Sequence, residues 1–335
     1  MEKSGSLDDI DLALVHALQL DGRAAFNRIG EILGVSEHTI ARRYRRLRAE
    51  GLLRVVGVLD GTLYGHTSWA VRLVCTPDAA GPVAEALARR DDTVWVRLTS
   101  GGTEIVCGVH AAGEDGGELL LKKLPRTPRL VAMTAHATLH MYAGWRSRVA
   151  VLSADQAARL RFVPHQALSP QEPRAAAVSR PESRAVAVDL GEQDRAVLRV
   201  LAQDGRTGYG ELAAAGRCSQ STVRRRLDQL RGAGALRFDV EIPSRALGYR
   251  AEAWLWMKVR PSRLAEVGAA LAAHPEVDVA AAITGPSNLM AGVTCRDTQD
   301  LYRYLTERVA PLDGVRELET SPVIRTVKRV GAVLP

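Results

Sequence analysis

Residues 36 to 51 read SEHTIARRYRRLRAEG, and residues 219 to 234 read SQSTVRRRLDQLRGAG. Each opens on a serine, continues with small polar residues, and then spaces arginines around an apolar position every third or fourth residue. Sliding the chain on itself by 183 positions aligns residues 7–54 with 190–237 without a gap, and sixteen of those 48 pairs are identical. The identities include Asp21-Gly22-Arg23 with Asp204-Gly205-Arg206, Arg42-Arg43 with Arg225-Arg226, and Leu53-Arg54 with Leu236-Arg237. Beyond them the match continues at an offset of 184, with SGGTEIVCGV at 100–109 facing TGPSNLMAGV at 284–293. A duplicated two-part unit accounts for the pattern.

The first part of each unit reads as three short helices. Ile10, Leu14, Ala17 and Leu18 follow helical spacing, and Asp21-Gly22 ends that helix. Ile29, Ile32 and Leu33 share a face of the second, which Gly34 closes. Ser36 stands where an N-cap belongs, and Ile40, Tyr44 and Leu47 then recur at i, i+4 and i+7. Three helices with a glycine turn before the third describe a helix-turn-helix. By subtraction, His38, Thr39, Arg42, Arg43 and Arg46 point outward or flank the outer face. In the second copy Val223, Leu227 and Leu230 face inward, while Ser221, Thr222, Arg225 and Arg226 follow Ser219 on the outside. A basic helix face is ordinarily only solvated. On the third helix of such a unit, small polar residues on the first turn suit base edges, and arginine suits guanine or phosphate. The expected DNA-binding set is therefore Ser36, His38, Thr39, Arg42, Arg43, Arg46, Ser219, Ser221, Thr222, Arg225 and Arg226. The second copy is eroded: AAAGRCS replaces EILGVS, its turn glycine arrives one place early, and Asp228 replaces Arg45.

The second part reads β-α-β-β-α-β: strand SWAVRLVC, helix DAAGPVAEALARR, strands VWVRL and EIVCGV, helix EDGGELLLKKL and strand LVAMTAHATL. The second copy repeats the order through AWLWMKV, SRLAEVGAALAAH, VDVAAAIT, LMAGVTC, TQDLYRYLTERV and VRELETSPVI. The expected fold class is α+β, a tandem repeat of a three-helix unit and a ferredoxin-like four-stranded sheet with helices on one face. The other sheet face, with Trp254 and Trp256 or their neighbours, invites a partner sheet within the chain or between chains. The expected boundaries are 5–56 and 188–240 for the helix-turn-helix domains, 64–150 and 247–335 for the βαββαβ domains, and 151–187 for a linker. Within that linker DQAARLRFV at 155–163 is a candidate short docked helix.

Bulk properties bound the function. The 335 residues suffice for several domains, and a formal charge of +7 leans toward anionic partners. The start lacks a signal-peptide pattern and no run approaches a membrane span, so a cytoplasmic, nucleoid-associated protein without membrane contact is expected. Cys75, Cys107, Cys218 and Cys295 stand singly, which suggests neither a zinc site nor a disulfide framework, only small buried residues. The basic stretch RTVKRV at 325–330 reads as solvated.

LDDIDLALVHALQLDGR, GVSEHTIARRYRRLRAEGLL and the βαββαβ segment behind them resemble the Lrp/AsnC, or feast/famine, family of transcription regulators, over nearly the whole chain twice. The resemblance implies double-stranded DNA as partner, a tail that senses an amino acid or related metabolite, and assembly as a homodimer or higher oligomer. It places a glycine-containing loop between the second and third sheet strands near the effector, which nominates Gly285 and Asn288, and less strongly Gly101 and Thr103. A plain β-turn is the alternative there. The leading expectation is a ligand-responsive, sequence-specific DNA-binding regulator, not an enzyme, with no metal or cofactor. Some tetrapyrrole (siroheme-type) decarboxylases resemble the same family, so catalysis is the rival. Against it, His66, His110 and His274 are scattered, Thr320 and Ile324 stand opposite His136 and His140, and no acid/base pair, nucleophile elbow or phosphate loop is present.

Overall fold

The computed structural model describes residues 7–59, 66–90, 92–112, 123–144, 149–162 and 190–329. Residues 114–122 of the helix expected at 114–124, and most of the linker, lie outside the described residues. The first head consists of α1 (Asp9–Leu20), α2 (Phe26–Leu33) and α3 (Glu37–Ala49). Asp8 caps α1 through the Asp11 N–H, and Asp11 returns the bond to the Asp8 N–H. Gly34 ends α2 with φ +69°, the left-handed conformation glycine adopts freely. Leu14, Leu18, Ile29, Ile40 and Leu47 are fully buried between the helices.

β1 (Arg54–Leu59) leads to β2 (His66–Cys75), α4 (Ala80–Ala88), β3 (Thr93–Thr99), β4 (Glu104–Ala112) and the long β5 (Leu130–Ala143). The short α5 (Ala154–Leu160) follows, overlapping the segment singled out in the linker, and docks on the first head. There Leu160 is fully buried, and the His16 imidazole accepts hydrogen bonds from the Val151 and Leu152 N–H groups through Nδ1.

The second head is α6 (Glu192–Gln203), α7 (Tyr209–Gly216) and α8 (Gln220–Gly232), with Val223, Leu227 and Leu230 turned inward. Its early glycine has a packing reason: a Cβ on Gly216 would lie 2.8 Å from Val197 Cγ2. The left-handed place that Gly34 holds in the first head falls to Arg217, at φ +51°.

β6 (Leu236–Glu241), β7 (Ala251–Val259), α9 (Leu264–Ala273), β8 (Val277–Ile283), β9 (Leu289–Cys295), α10 (Thr298–Arg303) and β10 (Val315–Lys328) complete the chain. A π-helical turn over Tyr304–Val309 extends α10.

Each βαββαβ unit forms its antiparallel sheet, but the two do not remain separate. β5 pairs with β8 and β10 pairs with β3, closing one eight-stranded barrel in the order β10-β3-β4-β2-β5-β8-β9-β7. Closure leaves no unpaired edge in this sheet. The apolar faces meet inside, where Trp95 of the first copy stacks on Trp254 of the second at 4.6 Å between ring centroids. Trp254 and Trp256 are both almost completely buried. The segment 325–328, expected to be solvated, belongs to the β10–β3 seam, and Lys328 donates to the Arg90 and Thr93 carbonyls.

The ladders also correct one alignment. His136 lies opposite Ala70 in the β2–β5 pair, and Ser321 lies opposite Trp254 in the β7–β10 pair. The counterpart of His136 is therefore Ser321, one position beyond Thr320, and that of His140 is Arg325 instead of Ile324. The pairings and bulges of β5 and β10 match throughout at an offset of 185, so the second copy carries one more residue before its last strand, which a constant offset of 184 does not follow.

Candidate nucleic-acid interface and sensor loops

Ser36 and Ser219 cap α3 and α8, each hydroxyl accepting the N–H three residues on, of Thr39 and Thr222, at 3.1 Å. Their expected role at DNA is thus joined to a structural one. His38, Arg42, Ser221 and Arg225 are exposed, and Thr39 and Thr222 are half-buried beside the caps. These six residues line the first turns of the third helices.

Arg43 and Arg226 are placed differently from the sequence reading. Arg43 turns toward α1, 2.6 Å from an Asp8 oxygen and 2.9 Å from Asp11, and these two carboxylates hold its guanidinium firmly in the charged form. Arg46 also reaches Asp11, at 2.5 Å, and keeps part of its side chain in solvent. In the second copy Arg226 makes two bonds to Asp194 at 2.8 and 3.0 Å. The Asp11 side chain is 1% exposed, and a carboxylate so deeply buried needs compensating cations. Arg43 and Arg226 therefore fasten the third helix to the first in each head. The signal was present in the repeat: Asp11 and Arg43 are 32 residues apart, as are Asp194 and Arg226.

A second constellation escaped the sequence reading. The repeated Asp-Gly-Arg at the end of α1 and α6 forms a reciprocal latch between the heads. Arg23 donates to the carbonyls of Gly205 and Thr207 at 2.6 and 3.0 Å, and Arg206 donates to Gly22 at 2.8 Å. The Arg206 guanidinium lies 4.3 Å above Phe26, and Arg23 lies 4.8 Å above Tyr209. The far ends of the third helices join in, Arg48 to Asp204 at 2.8 Å and Arg231 to Asp21 at 2.7 Å. Both glycines are required by space: a Cβ on Gly22 would lie 2.6 Å from Phe238 Cβ, and one on Gly205 2.9 Å from the same ring. Strands β1 and β6 pair antiparallel beneath, Arg54 opposite Glu241 and Leu59 opposite Leu236. Two third helices are thereby held in one fixed relation about a pseudo-twofold axis.

The sensor loops differ between copies. Asn288 spends its amide on its own chain, accepting from the Val259 N–H and donating to the Val259 carbonyl, both at 2.8 Å. Gly285, at φ +106°, lets the His136 ring approach so closely that a Cβ would stand 2.3 Å from Nδ1, and that nitrogen meets the Thr284 carbonyl at 2.7 Å. Gly285 thus serves the seam between β5 and β8, and Asn288 braces the loop behind it.

In the first copy Gly101 turns the chain at φ +74°, and the Thr103 hydroxyl donates to the Ser100 carbonyl. Glu104 stands where Asn288 does. Burial pushes its carboxyl up, but the Ser100 and Thr99 hydroxyls and Arg72 outweigh it and hold the group below the ordinary carboxylate range. Arg72 also pairs with Glu319 of β10 and lies 4.6 Å above the Trp256 ring. This polar cluster joins residues of both copies, and no motif announces it.

Two helix-turn-helix heads latched above a pair of α+β domains are the build of a transcription regulator with a helix-turn-helix reader and a ligand-binding tail. The AsnC-type helix-turn-helix domain model matches twice, at residues 7–48 and 190–231, and the Lrp/AsnC ligand binding domain model matches residues 252–333. The chain belongs to the Lrp/AsnC family. An uncharacterized HTH-type transcriptional regulator of Pyrococcus abyssi is 39% identical over 145 residues, 43% of this chain and 91% of that protein. The HTH-type transcriptional regulator FL11 of Pyrococcus horikoshii is 28% identical over 142 residues, 42% of this chain and 93% of its own. Such relatives are one unit long. A two-unit likeness comes from the crystal structure of the siroheme decarboxylase NirDL in co-complex with an iron-uroporphyrin III analogue. It has a TM-score of 0.61 and 13% identity, and covers 98% of this chain and 94% of that one. At that identity the likeness is one of fold. Among the described residues no helix is long and apolar enough to cross a membrane.

Proposed function

We propose that the chain is a sequence-specific DNA-binding transcription regulator whose hold on DNA responds to an amino acid or a related small metabolite. The observation that carries this reading is the latched pair of capped third helices, which present Arg42 and Arg225 to solvent in one fixed relation. Such a pair suits two successive major grooves on one face of the duplex, roughly 34 Å apart. His38, Thr39, Ser221 and Thr222 stand where base edges would be met. Arg43, Arg46 and Arg226 support the reading helices from behind, and Arg46 keeps enough exposure to reach a phosphate.

For the effector we retain the loops at Gly101–Thr103 and Gly285–Asn288 as the proposed region. Gly285 lies at the seam between β5 and β8, so an effector bound there would act on barrel closure, and through β1 and β6 on the relation of the heads. Association of whole chains would add two heads at a time, and sedimentation analysis reads it directly.

Fluorescence anisotropy against the chain's own upstream DNA and a scrambled duplex, at two salt concentrations, tests the reading. A specific complex weakened by Arg42→Ala supports it. Equal, weak and salt-sensitive binding to both duplexes overturns it.

The whole-chain likeness to a siroheme decarboxylase favours one other reading, tetrapyrrole chemistry on the same scaffold. Here the interior of the barrel is filled by Trp95, Trp254 and Trp256, and the His136 ring is engaged with Thr284. Binding of an iron-uroporphyrin with a shifted Soret band, in protein that ignores DNA, would support that alternative.

A further inference from the structure

We propose that α3 and α8 read different half-sites, so that the operator is a non-palindromic pair of half-sites about one helical turn apart. The proposal rests on the reading of the chain as a sequence-specific DNA-binding protein and extends it to the symmetry of the DNA. Identical subunits about a twofold axis impose a palindrome, because each recognition helix presents the same side chains to its own groove. In this chain the frame keeps the axis and the readers do not.

The frame is symmetric nearly bond for bond: Arg23 and Arg206 exchange carbonyls, and Arg48 and Arg231 exchange carboxylates. The inward faces match in class, Ile40, Tyr44 and Leu47 against Val223, Leu227 and Leu230. On the outer faces two positions are identical, Thr39 with Thr222 and Arg42 with Arg225. Five differ in chemistry. Glu37 corresponds to Gln220, His38 to Ser221, Ala41 to Arg224, Arg45 to Asp228, and Arg46 to Gln229. His38, Arg45, Ser221 and Arg224 are exposed, while Ala41 and Asp228 are half-buried.

The exchange of Arg45 for Asp228 reverses a charge. An arginine there suits guanine or a phosphate, whereas an aspartate accepts from the cytosine amino group and repels phosphate. Arg224 supplies a cation one turn earlier, where the first copy has only a methyl group. The two helices thus share an arginine-and-threonine core of contacts and differ around it. The two arms of the operator should likewise agree at the bases met by Arg42 and Arg225 and diverge at their neighbours.

The test uses the full-length chain and duplexes randomised over about three helical turns with no symmetry imposed. Selection should enrich two arms of unlike sequence. In direct titration the composite duplex should bind about ten-fold or more tightly than either symmetrised duplex, made of two left or two right arms. The triple variant Ser221→His/Arg224→Ala/Asp228→Arg gives α8 three of the five outer side chains by which α3 differs from it. It should shift its preference about ten-fold toward the duplex built from two α3 arms, with an unchanged melting curve as the control for folding. If the variant does not fold, the titrations of the unaltered chain still decide.

A palindromic consensus, a single enriched arm, or equal affinity for composite and symmetrised duplexes would overturn the proposal and leave the DNA-binding reading standing. No enrichment at all would remove that reading, and the proposal with it.

Discussion

Arg72 and Trp256 occupy equivalent places in the two copies, opposite Val106 in β4 and opposite Met290 in β9, and in the folded chain they touch each other, guanidinium over indole. Between identical subunits, equivalent positions meeting near the axis would be like against like. Here each copy supplies what the other lacks. The latch between the heads shows the opposite habit: Arg23 repeats Arg206, Phe26 is answered by Tyr209, and the bonds Arg23–Gly205 and Arg48–Asp204 have mirror partners in Arg206–Gly22 and Arg231–Asp21. The heads have kept the symmetry of a dimer, while the barrel interior has specialised into complementary halves. The barrel halves are therefore no longer interchangeable, even where the frame that carries the readers still is.

The sharpest way to break that comparison is in the interior. Trp254→Ala removes the stacking partner of Trp95 from a fully packed site that the first copy fills with only Ala70 at the equivalent place. It should cost about 3–5 kcal/mol, seen as a lowered denaturant midpoint together with a change in tryptophan emission.

Acid should weigh more heavily on the first copy, where burial holds down His16, His66 and His110, than on the second, where it holds down His274. Burial, reinforced by neighbouring His66, pushes His110 down to about 4, from 6.5 in the unfolded chain. Thr294, at the equivalent position, does not titrate. As pH falls, the unfolded chain takes the proton first, so stability is complete above about pH 6.5 and is lost progressively toward pH 4. The loss should reach at most about 3 kcal/mol. His16, also pushed down by burial, adds to it with the same sign, since its neutral ring accepts the bonds that seat α5. Melting curves of His110→Gln between pH 7 and 4 should be flatter than those of the unaltered chain.

Arg42→Ala and Arg225→Ala compare the heads directly. Each should weaken operator binding by about 1–3 kcal/mol and relax preference only in its own arm, measured by anisotropy with arm-substituted duplexes. A much smaller effect for Arg225→Ala would mark the second head as a structural partner.

The smallest expected effect repairs the erosion of the second head. Arg217→Gly relieves a left-handed arginine where the first head has Gly34. It should stabilise by about 0.5–1 kcal/mol, with a higher melting temperature and no change in the first head.

Much of this molecule was legible in one dimension. Helical spacing of Ile40, Tyr44 and Leu47, serine at both caps and the order of strands and helices follow from local chemistry, and the repeat supplied the architecture. Where the packing adds to the sequence reading the cause is shared, in that side chains were assigned from their own helix or strand alone. Arg43 and Arg226 look outward on a helical wheel, but they belong to buried carboxylates on another helix, 32 residues away. Asn288 has the composition of a ligand loop, and its amide is bound to Val259 on a neighbouring strand. The seams that close the barrel depend on bulges in β5 and β10, which composition does not encode. The Asp-Gly-Arg latch was visible as a repeated phrase and was read only as a helix end, because its partner was the other copy.

Because one polypeptide carries both heads and both halves of the barrel, joining the two readers is not a bimolecular step. In a regulator assembled from single-unit chains, dilution separates the readers, and the response to its concentration steepens where the dimer falls apart. Here the second reader is already at its place when the first arrives, and dilution does not part the two.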